Sequence, residues 1–253
     1  MRTNHFKSVT RGGGTALGVA LTIADPLVAE MVGAGAPDFL MIDAEHAPLS
    51  SSDLQTMLVA LRTARATSLV RVAANDPALI GMALDLGAEG VIVPAVVSGE
   101  SCHRAVAAAR YAGTRGLGPR RAARLDGGRV EYLARADEEI AVVVMIESRD
   151  ALEHLDDILA TPGLDAVMVG PADLAVSLGH LTEPGHADVQ GAIESIHAAC
   201  GRHGVPFGIF AAAEAAARKW ADRQAAFIVI GADLQYLDQG LARARALAEE
   251  LRA

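Results

Sequence analysis

The 253-residue sequence predicts an α/β fold, a single (β/α)8 TIM barrel occupying residues 1–253. Three observations predict it. Short apolar runs recur eight times along the chain. Helix punctuation separates each run from the next. A length near 250 residues is usual for one such barrel and leaves little material for a second domain.

The first run, Leu17–Thr22, follows Arg2, Lys7 and Arg11 and so mimics a secretion signal. Three glycines, Gly12, Gly13 and Gly14, separate it from those charges, and Asp25-Pro26 follows directly, so it reads as a buried first strand. Asp25 and Pro26 then read as the N-cap and first residue of a helix. Phe39–Asp43 is the second strand, and Ser51, Ser52 and Asp53 precede a periodic stretch ending near Arg65. Leu69–Ala73 is the third, and the helix opened by Asp76-Pro77 is closed by Gly87. Val91–Pro94, Ala141–Glu147, Ala166–Gly170, Phe207–Ala211 and Phe227–Gly231 complete the set. All are apolar on both faces, as parallel strands covered by helices should be. Two stretches break the rhythm, the Gly- and Arg-rich residues 113–129 and residues 179–188. Both are expected among the loops at the carboxyl ends of the strands, where barrel enzymes carry their active sites.

Composition removes several classes of partner and chemistry. Lys plus Arg is 22 against 31 Asp plus Glu, a net charge of −9, with one Trp, three Tyr and five Phe. Such a chain offers neither a phosphate-neutralising surface nor base-stacking platforms, so no nucleic acid is expected. No apolar run reaches the roughly 18 residues of a membrane span. Cys102 and Cys200 cannot form a disulfide framework, which fits a reducing cytoplasm. The only lysines, Lys7 and Lys219, lie off the strands, so a Schiff-base aldolase or a pyridoxal-phosphate enzyme lacks its amine. Carbonyl activation is left to a metal acting as Lewis acid.

Catalytic groups of a barrel belong at strand ends. The second strand runs into Asp43-Ala44-Glu45-His46-Ala47-Pro48, Arg71 interrupts the third run, Glu147 ends the fifth, and Asp173 follows the sixth in Val169-Gly170-Pro171-Ala172-Asp173. Glu147 and Asp173 come from adjacent strands, and two carboxylates without a Cys or His cluster suit a hard divalent ion such as Mg²⁺ or Mn²⁺. Structural readings stand beside this one: Glu147 as partner of a rim arginine, Asp173 as a helix N-cap, His46 as a surface residue. Taken together the residues favour the metal. His46 is the natural base near neutral pH. Arg71 requires an anion, which a bound carboxylate or a developing enolate oxygen would supply. The five arginines of residues 113–129 either grip an anionic substrate tail or form a solvated loop. The other histidines, His5, His103, His154, His180, His186, His197 and His203, show no ligand-like clustering and read as structural or surface.

Asp43-Ala-Glu45-His46-Ala-Pro48, Arg71, Pro77 with Asp85-x-Gly87-Ala88, Arg115-Gly116-Leu117-Gly118, Ile146-Glu147-Ser148 and Gly170-Pro171-Ala172-Asp173-Leu174 resemble the metal-dependent class II pyruvate aldolases of the HpcH/HpaI type. That family includes 4-hydroxy-2-oxoheptanedioate and 2-keto-3-deoxy-L-rhamnonate aldolases. The resemblance implies a barrel of the phosphoenolpyruvate/pyruvate-binding type and a divalent metal (Mg²⁺, Mn²⁺ or Co²⁺) on Glu147 and Asp173. It implies a base at His46, an oxyanion-stabilising Arg71 and substrate contacts around Gly170, Pro171 and Ala172. It also implies that Asp85 pairs with the catalytic histidine, and a homo-oligomer, trimeric or hexameric, that exchanges its last helix between subunits. Asp85 falls inside a helix beyond Arg71, too far along to reach its own pocket, so it is expected to be donated across a subunit interface.

The sequence departs from the family at Met145, where a glutamine is usual, and at Phe210, where leucine is common; both line the expected substrate pocket. The implied reaction joins a 2-keto acid such as pyruvate to an aldehyde, or cleaves the product. A related enolate enzyme (a CoA-ester lyase or an oxaloacetate-type decarboxylase) and a silent keto-acid-binding barrel remain as alternatives.

Overall fold

The computed structural model describes residues 1–181 and 183–252, with Leu125 described by its backbone alone. Thr182, within the expected 179–188 insertion, lies outside the described residues. The chain opens with helix α1 (His5–Arg11) and strand β1 (Ala16–Leu21), followed by α2 (Pro26–Ala34), β2 (Phe39–Asp43) and α3 (Ser51–Ala60) with a short 3₁₀ turn (Leu61–Thr63). Then come β3 (Thr67–Arg71), α4 (Pro77–Asp85), β4 (Gly90–Val93), α5 (Gly99–Ala109), α6 (Arg120–Leu125), α7 (Arg129–Glu139) and β5 (Ala141–Ile146). The last third holds α8 (Arg149–Glu153), α9 (Leu155–Leu159), β6 (Ala166–Val169), α10 (Pro171–Leu178), α11 (Ala187–His203), β7 (Phe207–Phe210), α12 (Glu214–Asp222), β8 (Phe227–Ala232) and α13 (Asp233–Glu250). The eight strands pair in parallel, each with its sequence neighbours, and β1 with β8 closes the barrel.

Local chemistry sets these elements. Asp25 and Asp76 each accept two backbone N–H groups ahead of Pro26 and Pro77, as expected of N-caps. Ser50, one residue before the serines singled out in the sequence, caps α3 and shares a capping box with Asp53. Gly87 ends the α4 turn at a φ of +100°. β3 starts two residues earlier than the apolar run because Thr67 and Ser68 are buried, the Thr67 hydroxyl accepting from the Phe6 N–H. Lys7 is buried against Asp165 beneath the barrel, and Lys219 pairs with Glu194 on the outside, so neither amine stands at a strand end.

Alternation along the strands divides the core in two. Phe39, Met41, Leu69, Ile92, Val143, Met145, Met168, Phe227 and Val229 fill the barrel interior, whereas Leu40, Ile42, Val70, Val142, Val144 and Ile146 pack against the helices. Helix α1 closes the amino-terminal end: Phe6 is fully buried and meets Phe39 and Phe227 edge-on, with ring centroids 5.2 and 5.0 Å away. Gly18 and Gly208 make room for those rings, since a Cβ on either would lie within 2.4 Å of one.

Residues 113–129 correct an expectation. They follow α5, which has already returned from the carboxyl rim, so they lie at the amino-terminal end of the barrel and contain α6. Two of the five arginines are held there, Arg115 by Asp85 and Tyr132 and Arg121 by the carbonyls of Leu86 and Leu58, while Arg120, Arg124 and Arg129 are exposed. This position takes them away from the carboxyl rim and its strand-end residues, and the exposed arginines match the solvated alternative. The described residues between α10 and α11, 179–181 and 183–186, lie near the carboxyl rim, as expected. Among the described residues no helix is long and apolar enough to cross a membrane.

Candidate active site

The inward alternation of the strands carries polar residues to the rim. Phe39, Met41 and Asp43 climb β2 on the interior face, Leu69 and Arg71 climb β3, and Val143 and Met145 lead to Glu147 on β5. Asp43 and Arg71 are direct partners in the β2–β3 register. Their contact is bidentate: Nε and Nη2 of Arg71 donate to Oδ1 and Oδ2 of Asp43 at 2.9 and 2.6 Å. Asp43 also accepts the backbone N–H groups of Glu45 and His46, which fixes the turn after β2.

Arg71 therefore draws its anions from its own chain, with Glu45 at 3.2 Å beside Asp43, and this corrects the expectation that a ligand must supply the counter-charge. Burial works against both ions of the pair. The Arg71 hydrogen bonds and charge, with two backbone N–H groups, nevertheless hold the Asp43 carboxyl below its ordinary value. Asp43, with Glu45 and Glu147, raises the Arg71 guanidinium above its own. Glu45 is pushed up by burial, against the pull of Arg71 and His46. The His46 ring is 62% exposed, with Nε2 3.9 Å from Glu45.

Glu147 is buried further in. Its Oε1 accepts the Ala95 N–H at 2.8 Å, so the arginine partnership considered for it is not the contact that holds it. Ala95 reaches that position at a φ of +54°, a left-handed conformation that costs a non-glycine residue about 1–2 kcal/mol. Burial raises the Glu147 carboxyl above its usual range; the Ala95 N–H and Arg71 oppose the rise, and the charges of Glu45 and Asp173 add to it. Asp173 is the third residue of α10, whose N-cap is Gly170, so it is not the cap.

Gly170 marks where the two carboxylates converge. A Cβ there would lie 3.2 Å from Glu147 Oε2, 3.4 Å from Asp173 Oδ2 and 3.1 Å from Met145 Cε. Two carboxylate oxygens facing one glycine-made hollow, one of them disfavoured as an anion chiefly by burial, fit a hard divalent cation with oxygen ligands. Met145 supplies a thioether at its floor. The first turn of α10 has no side-chain cap, which leaves the Ala172 and Asp173 amides beside the hollow for an anionic ligand. Phe210 ends β7 half-buried at the same rim.

Asp43, Glu45, His46, Arg71, Glu147 and Asp173 thus share one rim, and Asp85 does not. It ends α4 at the opposite end of the barrel, paired with Arg115 at 2.9 Å, as its helical position predicts. Asp43 as the partner of Arg71 and the Ala95 amide as the support of Glu147 are the residues that the sequence reading missed.

Residues 17–239 match the family model described as HpcH/HpaI aldolase/citrate lyase. The 5-keto-4-deoxy-D-glucarate aldolase of Klebsiella pneumoniae subsp. pneumoniae is 37% identical over 233 residues, 91% of each chain. The crystal structure of an HpcH/HpaI aldolase/citrate lyase family protein from Burkholderia cenocepacia J2315 superposes with a TM-score of 0.91 at 36% identity, over 99% of this chain and 100% of that one. That of citrate synthase SbnG gives 0.87 at 29% identity, over 96% and 97%. With the same barrel and a match of this extent, the chain belongs to the HpcH/HpaI aldolase/citrate lyase family.

Proposed function

We propose that this carbon–carbon lyase is a divalent-metal-dependent aldolase that makes and cleaves 2-keto-hydroxy acids from a pyruvate-type keto acid and an aldehyde. The observation that carries the reading is the convergence of Glu147 and Asp173 on the Gly170 hollow. A divalent ion held by this pair supplies Lewis acidity toward a keto oxygen. Mg²⁺, Mn²⁺ and Co²⁺ are the metals that its oxygen ligands favour.

The chain's own residues do the rest. The uncapped amides of Ala172 and Asp173, with Gly170 and Pro171 shaping the turn, receive the carboxylate of the keto acid. Arg71, immobilised by Asp43, keeps N–H groups free for the oxygen that gains charge as the methyl group loses its proton. His46, exposed at the rim, takes that proton, with Glu45 beside it. Met145 and Phe210 bound the acceptor's space with apolar surface. The name carried by relatives at 37% identity makes a keto-deoxy sugar acid the proposed substrate class.

Asp85 joins this machinery only from a neighbouring copy, so we read the enzyme as a homo-oligomer, trimeric or hexameric, each subunit one barrel domain. Helix α13 supports its exchange between subunits: Leu234, Leu237, Leu241 and Leu247 are all exposed. The buried free thiols of Cys102 and Cys200 suit a cytoplasmic setting.

Exchange of pyruvate methyl protons into D₂O tests the reading. Exchange should require a divalent ion, stop with EDTA and return on re-addition of the metal. Exchange that persists after complete metal stripping overturns it. Met145 favours a second reading, because a thioether in place of the usual amide removes a hydrogen bond beside the keto acid. The acceptor is then the carbonyl of another substrate, as in citrate synthesis or CoA-ester cleavage, and a panel of acceptors read by product NMR separates the two.

A further inference from the structure

Outside the rim site, His180, His186 and Asp188 form the one group of three among the described residues whose ligand atoms all lie within 4.8 Å of one another. This corrects the expectation that these histidines are unclustered. Nε2 of His180 is 3.0 Å from Oδ2 of Asp188, and Nδ1 of His186 is 3.7 Å from the same oxygen. The two rings lie face to face, centroids 3.6 Å apart and 16° from parallel, and Asp188 Oδ2 stands beside a nitrogen of each.

The backbone prepares this arrangement. His180 N–H donates to the Ala175 carbonyl, Glu183 N–H to the His180 carbonyl, and His186 N–H to the Glu183 carbonyl. The Gln190 side chain holds the Pro184 carbonyl. Successive turns therefore fold the connection between α10 and α11 back on itself and bring the two imidazoles together.

From this geometry we propose that His180, His186 and Asp188 bind a borderline divalent transition ion of the Zn²⁺ class, at a site separate from Glu147 and Asp173. A tetrahedral ion about 2.0–2.1 Å from nitrogen and oxygen ligands holds them roughly 3.3–3.4 Å apart. The distances of 3.0 and 3.7 Å bracket that spacing, so small side-chain rotations complete the site. Two imidazoles and one carboxylate select Zn²⁺ or Cu²⁺ over Mg²⁺, whereas the rim pair has only oxygen. Asp188 is exposed, which leaves room for water as a fourth ligand. His186 also caps α11 by accepting the Asp188 N–H through Nδ1, and the ion takes over that lone pair while the freed N–H turns to water. The bound ion ties the end of α10, the helix that begins beside the Gly170 hollow, to the start of α11.

Calorimetric titration of Zn²⁺ into tag-free, chelator-stripped protein tests this in a Glu147→Gln/Asp173→Asn background, which removes the rim pair. One equivalent of Zn²⁺ should bind and raise the melting temperature. His180→Ala, and His186→Asn, whose amide preserves the N-cap, should each weaken binding at least tenfold and abolish the thermal shift. Nitrogen hyperfine structure in the Cu²⁺ electron paramagnetic resonance spectrum should vanish with them. If the rim variants fail to fold, the same comparison runs on the native carboxylates under excess Mg²⁺. Zn²⁺ affinity and stoichiometry unchanged by either histidine substitution overturn the site, and leave the aldolase reading untouched.

Discussion

Asp43 and Arg71 stand directly opposite each other on neighbouring parallel strands and are joined by two hydrogen bonds between a buried carboxylate and a buried guanidinium. The pair converts strand register into the geometry of the rim, because one slip of β2 against β3 would turn Asp43 out of the barrel and away from Arg71. Removing Asp43 leaves the mostly buried Arg71 guanidinium only the longer contact to Glu45. Asp43→Asn should therefore destabilise the protein by about 3 kcal/mol, read by chemical denaturation, and should lower turnover by freeing Arg71 and the turn that carries His46.

The same pair sets an acid response. The Asp43 carboxyl is held below its ordinary value of 3.8, so its contribution to stability is complete above that value and is lost as pH falls through the lower native one. Denaturation midpoints should fall on acidification below pH 3.8 in the wild type, and less steeply in Asp43→Asn. Parallel curves for the two proteins would contradict this assignment.

Gly170 leaves the hollow open between the carboxylates. Gly170→Ala places a methyl group 3.2 Å from Glu147 Oε2 and 3.4 Å from Asp173 Oδ2, on a backbone whose φ of −95° accommodates alanine. The variant should fold normally and bind Mn²⁺ at least about tenfold more weakly, measured by calorimetry. Glu147→Ala or Asp173→Ala should reduce metal-dependent turnover by more than about 10²-fold.

Ala95 tests how the site stores strain. Its left-handed backbone points an amide at Glu147, so Ala95→Gly should keep that bond and stabilise the protein by about 1 kcal/mol. A destabilised variant would mean that the alanine methyl group packs more favourably than the strain costs.

Met145→Gln restores an amide at the floor of the hollow. One added hydrogen bond is worth about 1 kcal/mol, so KM for the keto acid should fall roughly fivefold with little change in melting temperature. An unchanged KM would show that the amide finds no partner there and that acceptor choice is set elsewhere, at Phe210 among other positions.

The barrel was legible because its signals are local. Two-sided apolar runs, the Asp-Pro caps and Gly87 each act within a few residues, and all eight strands lie where those runs fall, with no end shifted by more than two positions. The position of Glu147, Arg71 and Asp173 at strand ends on one rim was legible because charge in or just after an apolar strand is conspicuous. The Asp43–Arg71 contact was hidden in register, which no single strand states. Ala95 acts through its backbone, where an alanine leaves no mark, and its positive φ arises from tertiary packing. Residues 113–129 misled because composition suggested an anion grip, although a segment that follows a helix lies at the end opposite the rim. His180 and His186 met only when the chain between them turned twice.

With Phe6, Phe39 and Phe227 wedged together beneath it, the barrel is a cup rather than a tube. Anything that reaches the Gly170 hollow therefore enters and leaves by the carboxyl rim, since the floor beneath the interior side chains is closed.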